Sequence, residues 1–244
     1  MRNIALVVSY DGTLYHGWQC QPHLTTIQQT LQEKIESIVN HKIKIYGGAR
    51  TDSGVHAFGQ TVNFTTTSTI GLKNLERGLN SQLPSDIRIK SAHEKDEGFH
   101  ARYSAKSKIY VYTILNVQYN SPFYERYVWH IPCELSVVDM NLAARLVAGI
   151  HDFSAFKKKN EFYQSAVREV LKAGVKRRGD FIYILIEATG FLRYMVRNIA
   201  GTLVLVGSGK MTVDGFKDVL ESKDRNMAGP TAPAKGLFLR EIKY

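Results

Sequence analysis

Cysteine is nearly absent from this sequence: there are two in 244 residues, Cys20 and Cys133, far apart and in neither a CxxC nor a Cys/His ligand spacing. That argues against a disulfide framework or a structural zinc site and points to a reducing compartment. Long apolar runs are lacking as well. The N-terminal MRNIALVVSYDG is too short for a signal h-region or a membrane span and runs straight into patterned sequence, so a cytosolic protein and no membrane partner are expected. Cofactor signatures are missing too. No GxGxxG follows the first strand, so a dinucleotide has no visible home. GSGK at 207–210 lacks the glycine of a phosphate-binding loop at Val204 and its Ser or Thr at Met211, and reads as the turn after a helix. Eight histidines show no HExxH or other ligand spacing, so no metal is called for.

What is present is a globular composition, 44% hydrophobic and 22% charged, enough for one large domain or two intimately joined smaller ones. Thirty-two Lys and Arg against 22 Asp and Glu give a formal charge of +10, the balance of a surface that meets polyanions. Composition alone does not separate nucleic acid from a merely basic enzyme. The basic residues, however, interleave with aromatics in FHARYSAKSKIYVY (99–112) and FSAFKKKNEFYQS (153–165), with a further run at Lys176, Arg177 and Arg178 read as a turn. Cations for phosphates beside rings for unstacked bases suit an RNA loop or stem-loop.

Periodicity predicts a strand at 3–10 and a helix opened by Thr26, with Gln29 at capping-box spacing and Ile27, Leu31, Ile35 and Ile38 on its buried face. Strands at 41–46 and 60–65, a helix at 71–83 and a strand at 87–93 complete a β-α-β-β-α-β order, the split ferredoxin-like arrangement. A long strand follows at 106–117. The second half predicts helices at 137–150, 191–206 and 213–222, strands at 167–176 and 181–188, and a closing strand in GLFLREIKY. With no low-complexity linker, the expected fold is α+β: an N-terminal lobe at 1–118 and a C-terminal lobe at 119–244, two ferredoxin-like lobes sharing a continuous, mainly antiparallel sheet with a central cleft.

One loop stands out. YGGARTDSGVHAFGQ (46–60) holds four glycines, an arginine, an aspartate and a histidine between strand-like runs. TDSG alone is an ordinary turn. Arg50 and Asp52 are two apart, so in an extended stretch their side chains share a side. Far away, GFLRYMVRNIAG places Arg193 and Arg197 at i, i+4 in an otherwise apolar helix. Arg193 reads as reaching solvent or phosphate. A guanidinium drawn into apolar surroundings needs a carboxylate, and Asp52 is the candidate partner for Arg197.

ARTDSGVHA resembles the catalytic-aspartate motif of the tRNA pseudouridine synthase A family, usually GRTDxGVHA. The match extends through YDGTLYHGWQ (10–19), FHARYSAKSKIYVY, HDFSAF (151–156), FLRYMVRNIAG and TAPAKGLFL (231–239), in the family's order from end to end. Ala49 departs from the usual Gly or Ser. The resemblance implies the pseudouridine synthase fold and isomerisation of uridine at positions thirty-eight to forty of tRNA, in the anticodon stem-loop, with no cofactor and no metal. It implies Asp52 as nucleophile or sugar-directed base, Arg50 displacing the nucleotide or holding its phosphate, Tyr110 stacking on the uracil, Arg197 pairing with Asp52, and Leu237 walling the pocket. It also implies a homodimer with one tRNA contacting both subunits. The rival reading is a catalytically silent tRNA-binding or tRNA-folding module.

Overall fold

In the computed structural model, which describes residues 1–244, the first strand, β1 (Arg2–Tyr10), has no solvent exposure at Ile4, Leu6 and Val8. Buried apolar side chains on such a strand require covered neighbours, and it lies between two antiparallel partners, β3 (His56–Thr66) and β4 (Ile87–Lys95). The chain divides into two compact units, the first comprising Met1–Lys106 and Phe238–Tyr244, the second Ser107–Leu237. The last strand, β10 (Leu237–Lys243), therefore returns to the first unit, pairing parallel to β3 at Phe238 with His56 and Leu239 with Ala57. The fold is α+β, as expected.

Helix α1 (Ile27–Val39) is capped by Thr26, whose hydroxyl accepts from Gln29 N at 3.4 Å. The capping box is one-sided, because the Gln29 amide donates to Glu33 at 3.0 Å instead of reaching back. Ile27, Leu31, Ile35 and Val39 fill the core, a strict four-residue spacing. Ile38, expected on that face, is half-buried and points at Gly78 of α2 (Leu72–Gln82), where an added Cβ would meet its Cδ1 at 3.2 Å.

The strand expected at 41–46 shrinks to β2 (Tyr46–Gly47), paired with β3. The alternation is real, since Ile43 and Ile45 are buried between exposed Lys42 and Lys44. Side chains of α1, however, take backbone groups that a ladder would use: Ile43 N donates to Glu36 Oε1 at 3.2 Å and Gln28 Nε2 donates to Ile45 O at 3.1 Å.

In the second unit, β5 (Ser107–Leu115) pairs antiparallel with β9 (Phe181–Ala188), β9 with β8 (Val167–Arg178), and β8 with β7 (Gly149–Asp152); β6 (Trp129–His130) lies parallel to β5. Helix α3 (Val137–Arg145) stops short of the predicted 150, because Gly149 takes a φ of 104° and opens β7. The basic triplet Lys176–Arg178 ends β8 rather than forming a turn, and Arg177 is tied to Asn116 Oδ1 at 2.7 Å. The turn is Gly179–Asp180. Helix α4 (Met195–Gly207) begins four residues later than predicted, and α5 (Val213–Ser222) follows the GSGK turn, with Gly209 at φ 72°. Tyr194, at φ 67°, breaks the helical path before α4. The backbone of Arg193 is bonded elsewhere, its N–H donating to Tyr163 Oη at 3.0 Å and its carbonyl accepting from Lys158 N at 2.9 Å.

Candidate active site

In the first unit the loop carrying Arg50 and Asp52 is held from behind by the YDGTLYHGWQ segment. Tyr10 Oη lies 2.7 Å from Thr51 Oγ1, and burial pushes the Tyr10 phenol up, which keeps it a neutral hydrogen-bonding post. Trp18 N donates to Thr51 O at 3.0 Å. Gly17, at φ 91°, lets the two segments touch, since a Cβ there would stand 2.8 Å from that same carbonyl. Ser53 Oγ donates to Tyr15 O at 3.1 Å, and Val55 N closes a turn onto Asp52 O at 3.1 Å.

From the other side Gln60, fully buried on β3, clamps Ala49 through both backbone groups: Ala49 N donates to Oε1 at 3.0 Å and Nε2 donates to Ala49 O at 2.7 Å. The departure at Ala49 therefore leaves the loop's backbone bonding intact. His56 is buried and stacked on Phe238 at 4.7 Å between ring centroids. Its Nδ1 lies 3.1 Å from Gly12 N and 3.0 Å from Asp11 Oδ1. One nitrogen serves one of these at a time, accepting from Gly12 when unprotonated or facing Asp11 when protonated.

The clamps impose a period of two. Ala49 and Thr51 are buried, Arg50 is exposed, and Asp52 is half-buried. The two candidate side chains thus alternate along the loop with Ala49 and Thr51, which anchor it. Tyr10, Thr51 and Gln60 stand inside the motifs YDGTLYHGWQ and YGGARTDSGVHAFGQ but are not among the candidate residues; each is a buried polar group and so needs a partner.

In the second unit the remaining candidates occupy three elements. Tyr110 sits on β5, 8% exposed, with its ring edge-on to Phe191 at 4.9 Å. Leu237 is buried and follows a short 3₁₀ turn, Ala234–Gly236. That turn lies so close to β5 that a Cβ on Gly236 would stand 2.7 Å from the Tyr112 ring and 2.9 Å from Thr113 O. Tyr112 Oη donates to Pro233 O at 2.8 Å, and burial raises its pKa.

Arg197 lies in the first turn of α4 and is half-buried. Its Nε donates to Ala232 O at 2.8 Å and its guanidinium stands 4.7 Å from the Tyr194 ring centroid. Arg193 precedes the helix, so the two arginines are not an i, i+4 helical pair. It is half-exposed, 3.9 Å from Glu161 and 5.5 Å from the same Tyr194 ring. Lys158 Nζ is 5.8 Å from that ring, so three cations gather around one aromatic ring, an arrangement that suits a polyanion.

Of the aromatics in the two basic clusters, Phe153 and Phe156 go to the core, whereas Tyr103 and Phe162 are exposed. No group of three or more His, Cys, Asp or Glu side chains is placed to hold a metal ion.

A family model described as tRNA pseudouridine synthase matches residues 6–104 and 143–244 of this chain. The chain belongs to that family. Among curated tRNA pseudouridine synthase relatives, one from Thermoanaerobacter sp. (strain X514), named tRNA pseudouridine synthase A, is 47% identical over the full length of both chains. A protein of the same name from Acetivibrio thermocellus is 42% identical, and one from Clostridium perfringens, named tRNA pseudouridine synthase A 2, is 43% identical, again over the full length of both. The tRNA pseudouridine synthase match brackets both the Asp52 loop and the Arg197 helix.

Proposed function

We propose that this protein converts uridine to pseudouridine in tRNA, at positions thirty-eight to forty of the anticodon stem-loop. The observation that carries the proposal is the ARTDSGVHA loop, with Asp52 leaving a backbone fixed by Tyr10, Gln60 and Trp18. In the reaction the N1–C1′ glycosidic bond breaks, the uracil rotates, and C5 joins the same C1′ while its proton moves to solvent and N1 gains one. The exchange is an isomerisation, so it needs no oxidant or reductant. One carboxylate suffices because the base never leaves the site; a glycosidase would place two around the bond.

Asp52 acts toward the sugar, at C1′ or at the C2′ proton. Arg50, exposed beside it, takes the phosphate or the space of the displaced nucleotide. Extruding the base costs a few kcal/mol, which contacts of this kind repay. Roles for Tyr110 as the uracil's stacking partner, Arg197 as the partner of Asp52 and Leu237 as a pocket wall rest on the motif resemblance. The +10 charge and the cations around Tyr194 support tRNA as the partner. We infer a cytoplasmic homodimer as the working form; no helix is long and apolar enough to cross a membrane.

The deciding experiment is Asp52→Asn on unmodified tRNA. The variant is expected to bind tRNA nearly as the parent does and to form no pseudouridine, read by carbodiimide labelling and primer extension. Substantial turnover by the variant would refute the assignment. Binding without turnover by the parent would instead favour the silent tRNA-binding module.

A further inference from the structure

Arg225 follows α5 in the segment RNMAGPTA, outside the loop and helix described above. It is half-buried, and its contacts are with neutral acceptors: Nη1 donates to Ala228 O at 3.2 Å and Gly229 O at 3.0 Å, and Nη2 donates to Asn198 Oδ1 at 3.1 Å and Thr231 Oγ1 at 3.2 Å. The terminal nitrogens of a guanidinium carry four protons in one plane, and here each has an acceptor.

What these bonds hold is a strap, Ala228 to Ala232, laid across the start of α4. Asn198, with no solvent exposure, fixes one side; its Nδ2 donates to Phe156 O at 2.7 Å and Lys157 O at 3.0 Å, and its Oδ1 also accepts from Thr231 Oγ1 at 2.7 Å. Gly229 N donates to Thr202 Oγ1 at 2.9 Å, and Gly201 admits the strap so closely that a Cβ there would lie 1.7 Å from Pro230 O. The strap ends in a reciprocal pair with Arg197: Ala232 N donates to Arg197 O at 3.1 Å and Arg197 Nε donates to Ala232 O at 2.8 Å. The last bond orients the guanidinium, because the direction of Nε–H sets the plane of the whole group.

We propose that Arg225 is a positioning residue for Arg197: it fixes the strap whose Ala232 carbonyl sets the Arg197 guanidinium plane. The inference rests on the reading of Arg197 as part of the active site. Arg225 touches no reacting atom. Its effect runs through the geometry of Ala232, and a displacement of about 1 Å at a catalytic group is enough to cost a hundredfold in rate.

The test compares the parent with Arg225→Lys, Arg197→Lys and the double variant, in single-turnover assays at saturating tRNA. Rates are expressed per tRNA-binding molecule, so that unfolded protein does not count. A single ammonium cannot span four acceptors, so Arg225→Lys is expected to slow turnover by about tenfold or more while tRNA affinity stays within about threefold. The double variant is expected to be no slower than Arg197→Lys alone. Thr231→Val, which removes one acceptor and no charge, should show a smaller loss with the same split.

Wild-type turnover in Arg225→Lys, or a loss that multiplies with that of Arg197→Lys, would overturn the proposal. An inactive parent would instead refute the enzyme reading, and full activity in Arg197→Lys would refute only the role of Arg197.

Discussion

Gly12→Ala tests whether the rigidity of the Asp52 loop is what makes it a site. Gly12 follows β1, and a Cβ built on it would lie 2.0 Å from Val55 O and 2.8 Å from Val55 C. Both are backbone atoms, so no side chain can swing aside. Ordinary contact begins near 3.4 Å, so the two segments must part by about 1.4 Å. Val55 closes the turn onto Asp52, and Gly12 N bonds His56 Nδ1, so the displacement falls on the residues flanking the carboxylate.

Overpacking of this kind costs about 1–3 kcal/mol. In a chain of this length each kcal/mol lowers the melting temperature by roughly 2–4 °C. The rate should fall further than stability alone requires, by about a hundredfold at 25 °C, where the variant is still folded. Turnover is read by carbodiimide labelling and primer extension, folding by circular dichroism melts and affinity by filter binding. Gly98→Ala is the control, since a Cβ there meets nothing within 4 Å, and it should leave all three unchanged. A Gly12→Ala enzyme with parental turnover would show that the loop tolerates an ångström of movement and would refute the reasoning.

Arg197→Met is expected to impair turnover far more than tRNA affinity, because its proposed partner is Asp52 rather than phosphate; weakened binding with equal turnover, measured on the same tRNA, would show that pairing to be wrong. Glu36→Gln probes pH dependence. Burial, the largest influence on the Glu36 carboxyl, pushes its pKa up, but Lys42, the Ile43 N–H and Gln32 together hold it below its ordinary value of 4.5. A carboxylate depressed in the folded state stabilises above its unfolded pKa and loses that contribution as pH falls through the folded one. Glu36→Gln should therefore melt below the parent at neutral pH, by an amount equivalent to about 1 kcal/mol, with the gap closing below about pH 4.5 in a pH series of melts. A gap that widens with acid would refute the sign.

The order of the main elements was legible in the amino-acid sequence because it rests on local physics, although β6 and β7 were not predicted; the loop stood out through its resemblance to a family motif. Period-two alternation yields β9 and three- and four-residue apolar spacing yields α1 and α5, while β1 reads from its continuous apolar run. The Thr-Asp-Ser-Gly turn and the alternation of Arg50 with Thr51 are likewise local. Element ends were less legible, because backbone groups there choose among partners distant in sequence. The predicted strand at 41–46 lost its ladder to Glu36 and Gln28 of α1, and the helix at 191–206 lost its first turn to Tyr163, Lys158 and a left-handed Tyr194.

What the sequence by itself determined was the fold class, which follows from periodicity, and the family, which follows from the motif resemblance. What only the tertiary structure decided was which polar residues fix the Asp52 loop and the strap beside Arg197. Gln60 on Ala49, Tyr10 on Thr51 and Arg225 on the strap behind Arg197 are bonds between residues 11, 41 and up to 6 positions apart, respectively, with Asn198 a further 27 positions from Arg225. No spacing rule announces them. They form because a buried donor or acceptor without a partner costs more than the loop entropy spent in bringing one to it.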